Sequence, residues 1–183
     1  LELAEILDEV DIALFQFEIP KEAAFKAIEM ANKKNVKVFL DPAPVLEIPD
    51  EIYSKVDVIM PNLQEAKELT NLSNAAKLSD YADYFINKGV KCVLLTLGDK
   101  GVYAKNNEEE YTLPICKVNS IDSTGAGDCF AGAFAAKYKS NDLLKALQFA
   151  NAAAALSTTK VGAQSSIPSE EKISEILERE ELK

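Results

Sequence analysis

The chain has 183 residues, of which 20 are Lys or Arg, 30 are Asp or Glu, and 48% are hydrophobic, giving a formal net charge of −10. This acidity argues against a nucleic-acid or anionic-membrane partner, and the length predicts one globular domain spanning residues 1–183. The absence of His excludes Ser-His-Asp and Cys-His catalysis and His-ligated zinc. Three Cys without Cys-x-x-Cys spacing indicate a reducing cytoplasm, and no apolar run reaches transmembrane length.

Short apolar strands alternate with helices in the first half of the chain. The predicted strands are Ile12–Phe17, Val36–Leu40, Val56–Met60 and Cys92–Leu97, and the predicted helices are Pro20–Lys34, Leu63–Leu69 and Ala75–Lys88. Each strand is mostly apolar rather than alternating between apolar and polar residues, which is typical of a parallel sheet covered by helices on both faces. The sequence therefore predicts an α/β fold with three α/β/α layers and a mostly parallel central sheet.

Polar side chains follow two of these strands. Glu18 comes after the first strand, at the sheet edge where open α/β folds bind ligands, so it is either a ligand contact or a loop carboxylate facing water. Asn62 follows the third strand, and Glu65 comes three residues later. This spacing predicts a capping box, which would explain both residues structurally.

The pattern changes after Leu97. Gly98–Gly101 predicts a turn, either a plain β-turn or a loop that approaches phosphates at the end of a strand. Val102–Lys105 and Glu110–Leu113 predict a hairpin with its tip at Asn106-Asn107, and Ile115–Val118 predicts another short strand.

The stretch Asp122–Gly132 contains three glycines and precedes an apolar run, Phe130–Ala136, with the composition of a buried helix. Glycines let the backbone approach a ligand, and the first amides of a helix attract anions. Asp128 at this place would stay ionised and could accept a proton, although a plain helix capped by Asp is the alternative. No Gly-Lys-Ser/Thr follows and Phe130 replaces a third glycine, which excludes a Walker A loop and a dinucleotide fingerprint.

The last part of the chain predicts two further helices. One is Ala-rich, capped by Asn141-Asp142 and extends to about Thr159, and the other begins near Ser169 after the loop Lys160–Pro168.

The motif Asp122–Asp128 resembles the second glycine-rich motif of the ribokinase-like (PfkB) carbohydrate kinases. Other segments match in the order of the family: Phe15–Pro20, Asp41–Pro44, Pro61-Asn62 with Glu65-Ala66 and Glu68-Leu69-Thr70, Thr96-Leu97-Gly98 with Gly101-Val102, and Gly162-Ala163-Gln164 with Ser166-Ile167-Pro168. Because these segments extend over nearly the whole chain, it is identified as a member of the family, most similar to its ribokinase branch.

The resemblance implies ATP-dependent phosphorylation of a sugar hydroxyl, which in the ribokinase branch converts D-ribose to D-ribose 5-phosphate. Asp128 would be the base that takes the proton from the attacking hydroxyl, and both Glu18 and Asp128 would contact the sugar. The backbone amides of Gly125, Ala126, Gly127 and Asp128 would form the anion hole.

The resemblance also implies sites for ATP and for two cations. The ATP contacts would be Asn62, Thr96, Leu97, Gly98, Asp99, Lys100, Gly101, Gly127 and Asn151, and Glu65 would organise Mg²⁺ indirectly. A K⁺ site, formed partly by backbone carbonyls, would comprise Asp122, Thr124, Ser157, Lys160, Gly162 and Ser166. Asp41 stands where the family usually has Asn, and Asn151 where some members have His, so nucleotide contacts there are expected to differ.

The resemblance covers only the C-terminal part of the family. The first Gly-Gly motif, most sugar-binding residues and the β-strand lid would precede Leu1. We therefore expect a truncated fold whose unpaired strand edge favours a homo-oligomer, and a chain that is inactive alone. Two alternatives stay open: another PfkB sugar or nucleoside kinase, and a non-catalytic nucleotide-binding fragment.

Overall fold

The computed structural model describes residues 3–138 and 142–181; the predicted cap residue Asn141 lies outside them. The chain forms two compact units. Unit 1 comprises the residues up to Leu97 and Tyr103–Tyr111, and unit 2 comprises Gly98–Val102 and the residues from Thr112 onward. That the whole chain is one α/β domain stays a prediction.

The described residues contain helices and strands in nearly the predicted order. The helices are α1 Leu3–Ile6, α2 Lys21–Lys33, α3 Asp50–Tyr53, α4 Leu63–Thr70, α5 Leu78–Asn87, α6 Ala126–Lys137, α7 Leu143–Ser157 and α8 Glu170–Glu181. The strands are β1 Ile12–Phe15, β2 Lys37–Leu40, β3 Val58–Ile59, β4 Cys92–Thr96, β5 Val102–Asn106 and β6 Glu110–Leu113. Gly98–Lys100 and Gln164–Ser166 form 3₁₀ turns. Within these described ranges, no helix is long and apolar enough to span a membrane.

The six strands form one mixed sheet in the order β1-β2-β3-β4-β5-β6. Strands β1 to β4 are parallel, with Phe39 of β2 opposite Leu14 of β1 and Val58 of β3. Only three residues join β5 to β6, which is too short for a parallel crossover, so these strands form the predicted hairpin. Asn106 closes its turn, because its side-chain oxygen accepts from the amides of Glu108 and Glu109.

The central strands are buried on both faces. Val38, Phe39 and Leu40 are consecutive and fully buried, and successive side chains of a strand point to opposite faces. Val38 and Leu40 belong to one hydrophobic cluster with Ile28 of α2 and Phe85 of α5. A mostly parallel sheet buried on both faces is the three-layer α/β/α class that the sequence predicts.

Strand β1 departs from the prediction of a buried strand. Within the described part of the chain its one strand neighbour is β2, and the Leu14 side chain is 42% exposed. The strand ends at Phe15 rather than Phe17, and the amide of Phe17 donates to the carbonyl of Ala43. An apolar sequence therefore forms an edge strand, a position that the composition of the strand does not reveal.

Unit 2 is built mainly from α6, α7 and α8. Helix α7 buries small side chains, among them Ala146, Ala150 and Ala153, which allows close helix packing. Cys129 of α6 and Ile173 of α8 belong to one hydrophobic cluster with Ala153. The carboxylate of Asp142 caps α7 by accepting from the amide of Lys145 at 3.1 Å. The predicted strand at 115–118 is wrong, because these residues have no regular structure.

Candidate active site

Helix α6 begins inside the glycine motif. Its first residue is Ala126, and its N-cap Gly125 has a left-handed backbone with φ of 73°. The amide of Ala126 donates to the carbonyl of Ser123, and that of Cys129 donates to the carbonyl of Gly125 at 2.9 Å. Asp128 is therefore the third residue of the helix rather than its cap, and the plain Asp-capped helix is wrong.

The outer surface of this helix start is open. Gly127 and Asp128 are both exposed, and a side chain at Gly127 would meet no atom within 4 Å. The first amides of an α-helix have no intrahelical acceptor, and a carboxylate in the first turn is favoured by the helix dipole. The start of α6 thus combines a surface suited to anions with a carboxylate that can accept a proton.

A groove with a volume of about 240 Å³ opens beside Asp128 within unit 2. Asp128 and Glu170 are its two charged lining residues, and the remainder of the lining is mostly apolar, including Phe149 and Ile173. The groove gives Asp128 access to a small group, but its walls offer few partners for the hydroxyls of a sugar. Further sugar contacts would have to come from elsewhere.

The carboxylate of Asp122 joins two loops of unit 2. Its Oδ1 accepts from the amide and the hydroxyl of Thr124 at 3.0 and 2.7 Å. Its Oδ2 accepts from the amide of Gly162 at 2.8 Å. These bonds, the one from Gly162 first, lower the pKa of Asp122 to about 2. The carboxylate is thus an ionised hydrogen-bond acceptor at neutral pH.

The structure brings together only part of the predicted K⁺ set. Asp122, Thr124 and Gly162 meet through the bonds just described. Ser157 and Ser166 are buried, and their hydroxyls donate to the carbonyls of Ala154 and Ala163, respectively. The Lys160 side chain is exposed. The described residues contain no cluster of three or more Cys, Asp or Glu side chains that could hold a metal ion, so such a site would depend on carbonyl and hydroxyl oxygens.

The predicted phosphate turn is packed against its own unit. The amide of Gly101 donates to the carbonyl of Gly98 at 3.1 Å, and Gly101 is buried with φ of +96°. A Cβ atom at Gly101 would lie 2.0 Å from the carbonyl oxygen of Leu113, so only glycine fits. Asp99 and Lys100 are exposed on this turn.

Asn151 is a buried residue of α7 rather than an open one. It is 5% exposed, and its side-chain amide donates to the carbonyl of Pro114 at 2.7 Å. It therefore fixes the segment against which Gly101 packs. This contact joins residues 37 positions apart, and no spacing in the sequence indicates it.

The predicted ligand residues of unit 1 lie at the carboxyl ends of the strands. The capping box is confirmed: the Asn62 side chain accepts from the amide of Glu65 at 2.9 Å, and the Glu65 carboxylate accepts from the amide of Asn62 at 2.8 Å. Asn62 also forms a parallel bridge with Thr96, so these two predicted nucleotide contacts are neighbours.

Glu18 and Asp41 follow β1 and β2. Glu18 is exposed in the bend that leads to α2, as a ligand contact or a surface carboxylate would be. The side-chain amide of Gln16 donates to the carboxylate of Asp41 at 2.8 Å, which ties the ends of the two strands together. The sequence comparison singled out Asp41 but gave no sign of this partner.

The sequence matches the pfkB family carbohydrate kinases over residues 3–170, and the chain belongs to this family. The ribokinase of Staphylococcus aureus (strain COL) is 39% identical over 170 residues, which are 91% of this chain and 56% of that protein. The chain thus spans about half the length of the curated relatives it matches.

Solved structures agree with this assignment. The ribokinase of Thermotoga maritima has a TM-score of 0.86 and 37% identity, covering 97% of this chain and 62% of the other. The Arabidopsis thaliana ribokinase complexed with ribose and ATP has a TM-score of 0.88 and 32% identity, covering 95% and 58%. The predicted fold class and family are confirmed.

Proposed function

We propose that this chain carries the base and the phosphoryl-binding amides of a kinase that phosphorylates a sugar hydroxyl with ATP, with D-ribose as the preferred sugar. The observation that supports this most is the start of α6, where exposed Gly127 and Asp128 occupy the first helical turn. The Arabidopsis relative with ribose and ATP supports the choice of substrates. A half-length match makes the substrates of the whole protein part of this proposal.

In the proposed reaction, Asp128 accepts the proton of the sugar hydroxyl. The hydroxyl oxygen then bonds to the γ-phosphorus of ATP, the bond from that phosphorus to the bridging oxygen breaks, and ADP leaves with the electron pair. The amides of Gly125, Gly127 and Asp128 stabilise the negative charge on the transferring group, which is where helix N-termini contribute most. The amide of Ala126 donates to the carbonyl of Ser123 in the structure, so it would join them only by sharing or leaving that bond.

We further propose how the other predicted residues hold ATP. Asn62 and Thr96, which are neighbours through a parallel bridge, would contact the nucleotide. The turn Gly98–Gly101 would be a further contact. Asn151 would act on the nucleotide through the Pro114 segment rather than by direct contact, because its side-chain amide donates to Pro114. Glu18 would bind a sugar hydroxyl and would take no part in proton transfer.

The donor atoms of the predicted cation-binding residues fit Mg²⁺ and K⁺ only in part. Mg²⁺ neutralises phosphate charge when bound with ATP, and Glu65 would orient its water shell with the carboxylate oxygen that does not cap α4. Carbonyl and hydroxyl oxygens at Asp122, Thr124, Gly162 and Ser166 suit K⁺. Lys160 would contribute at most its carbonyl.

The experiment is Asp128→Asn in the full-length protein carrying this chain. ADP release with ribose should fall at least about 1,000-fold, because the base is lost, while calorimetry should give a Kd for MgATP within about threefold of wild type. Asp142→Asn is the matched control, since Asn caps helices as well as Asp does, and its activity should be unchanged. Turnover by Asp128→Asn at the wild-type rate would refute the proposed base.

A further inference from the structure

The loop that precedes α6 is bound to a second loop, the segment that follows α7, by two backbone hydrogen bonds and by one side chain. The backbone amides of Ile121 and Asp122 donate to the carbonyl of Thr158, just after the end of α7, at 2.8 and 3.1 Å. The carboxylate of Asp122 then reaches Gly162, forty residues further along the chain, and accepts from its amide at 2.8 Å. This Asp122–Gly162 bond is the cross-loop bond.

The second loop lies directly against the cap of α6. A Cβ atom built at Gly125 would lie 3.0 Å from the Cβ of Ala163, so Ala163 touches the backbone of the N-cap. Ala163 follows Gly162, whose backbone is left-handed with φ of +99°. The cross-loop bond therefore holds the residue next to Ala163, and Ala163 supports Gly125 from behind.

This loop has little other support of its own. Val161 is 75% exposed, and the hydroxyl of Ser165 makes only a long contact, 3.4 Å, with the carbonyl of Val161. Ser166 is the anchor at the far end, where its hydroxyl donates to Ala163 within the same turn. The cross-loop bond, from the amide of Gly162 to a carboxylate oxygen at 2.8 Å, is of the charge-assisted kind, which exceeds neutral hydrogen bonds in strength.

We propose that Asp122 is a positioning residue for phosphoryl transfer. By accepting from the amide of Gly162, its carboxylate holds Ala163 against Gly125 and so fixes the first amides of α6. The role in phosphoryl transfer rests on the proposed function, whereas the cross-loop bond itself is a property of the loops. This positioning role belongs to the side chain of Asp122 and is therefore distinct from K⁺ binding by the backbone of Asp122.

Substitution by Ala removes both carboxylate oxygens, so the amide of Gly162 loses its acceptor. Asn is less suitable, because its side-chain amide can rotate to present its oxygen to Gly162 and its NH₂ group to the hydroxyl of Thr124. Thr124→Val is the matched control, because it removes the hydroxyl bond to Asp122 and leaves the bond to Gly162 in place.

The first test is residue-resolved amide hydrogen exchange on the 183-residue chain. In Asp122→Ala the amides of Gly162 and of Cys129, which reports on the first turn of α6, should both exchange about tenfold faster or more. In Thr124→Val the exchange of Gly162 should stay within about twofold of wild type. Unchanged exchange at Gly162 would overturn the proposal. So would faster exchange at Gly162 together with unchanged exchange at Cys129.

The second test is kinetic and uses the full-length protein. Asp122→Ala should lower kcat about tenfold or more while the KM for ATP stays within about threefold, because amides misplaced at the transition state affect the chemical step. Ser165→Ala in the same loop should leave both constants unchanged. A raised KM with unchanged kcat would overturn the positioning role. Absence of any wild-type turnover would refute the proposed function instead. The exchange experiment would still test whether the cross-loop bond fixes the start of α6.

Discussion

Gly101→Ala should destabilise unit 2 far more than the neighbouring substitution Gly98→Ala. Both glycines have a left-handed backbone, with φ of +96° and +63°, so both alanines bear a conformational cost of about 1 kcal/mol. Their surroundings differ. A Cβ at Gly98 meets nothing within 4 Å, whereas one at Gly101 would lie 2.0 Å from the Leu113 carbonyl oxygen and 2.7 Å from the carbonyl carbon of Pro114.

The magnitude follows from these distances. Real Cβ atoms essentially never come closer than 3.0 Å to such neighbours, so the 113–115 backbone would have to move by about 1 Å. Overpacking of this kind costs about 1–3 kcal/mol beyond the conformational term. We therefore expect Gly101→Ala to lower the free energy of unfolding by about 3 kcal/mol, and Gly98→Ala by about 1 kcal/mol or less.

Urea denaturation followed by circular dichroism measures both variants against wild type. The expected result is a clearly lower midpoint for Gly101→Ala and nearly unchanged slopes for all three proteins. Equal stabilities of the two variants would contradict this prediction, because they would show that the turn does not pack on Leu113 and Pro114. Because Asn151 holds the same segment, Asn151→Ala should share part of this loss.

Three further predictions concern local stability and reactivity. Gly132→Ala, at an exposed position inside α6 with no atom within 4 Å, should stabilise the protein by about 0.5–1 kcal/mol in thermal unfolding; destabilisation would contradict the open geometry. Asn62→Ala removes the cap of α4 and should cost about 1 kcal/mol in urea denaturation, so an unchanged midpoint would contradict the capping box. Burial raises the pKa of Cys92 to about 12, so at pH 8 this thiol should resist iodoacetamide until urea unfolds the chain; rapid native labelling by mass spectrometry would contradict its burial.

Two predictions about the chain as a whole stay open. The exposed edge of β1, with Leu14 at 42% exposure, is the feature on which the predicted homo-oligomer depends. Sedimentation velocity should show a species larger than a monomer, and a monodisperse monomer would contradict it. The predicted inactivity of these 183 residues alone would be contradicted by ribose-dependent ADP release from the isolated chain.

Local chemistry made much of the fold predictable from the sequence. Apolar strands, a Pro-initiated helix and the Asn62 capping box are each determined by residues close together in the chain, and the structure has all three. The helix start at Ala126 was predicted less well, because Gly127 and Asp128 are poor helix formers and the apolar run that indicates the helix begins only at Phe130. The N-cap conformation of Gly125 overrides that preference.

Contacts between distant residues were not predictable. The bonds from Gly162 to Asp122 and from Asn151 to Pro114 join residues about forty positions apart, and no periodicity marks them. The edge position of β1 depends likewise on which strands pair, since a buried and an edge strand of this composition look the same. The sequence therefore predicts candidate site residues, whereas the contacts that hold them are visible only in the structure.

The most direct measurement of the central claim is an NMR titration of the ¹⁵N-labelled chain with MgATP, followed through the amides from Gly125 to Cys129. These resonances should shift on addition of MgATP, and Gly127→Ala should weaken the effect about tenfold, whereas Gly132→Ala in the same helix should leave it unchanged. Binding of MgATP with no shift at the start of α6, or equal binding by both variants, would contradict the assignment of this helix N-terminus as the phosphoryl site.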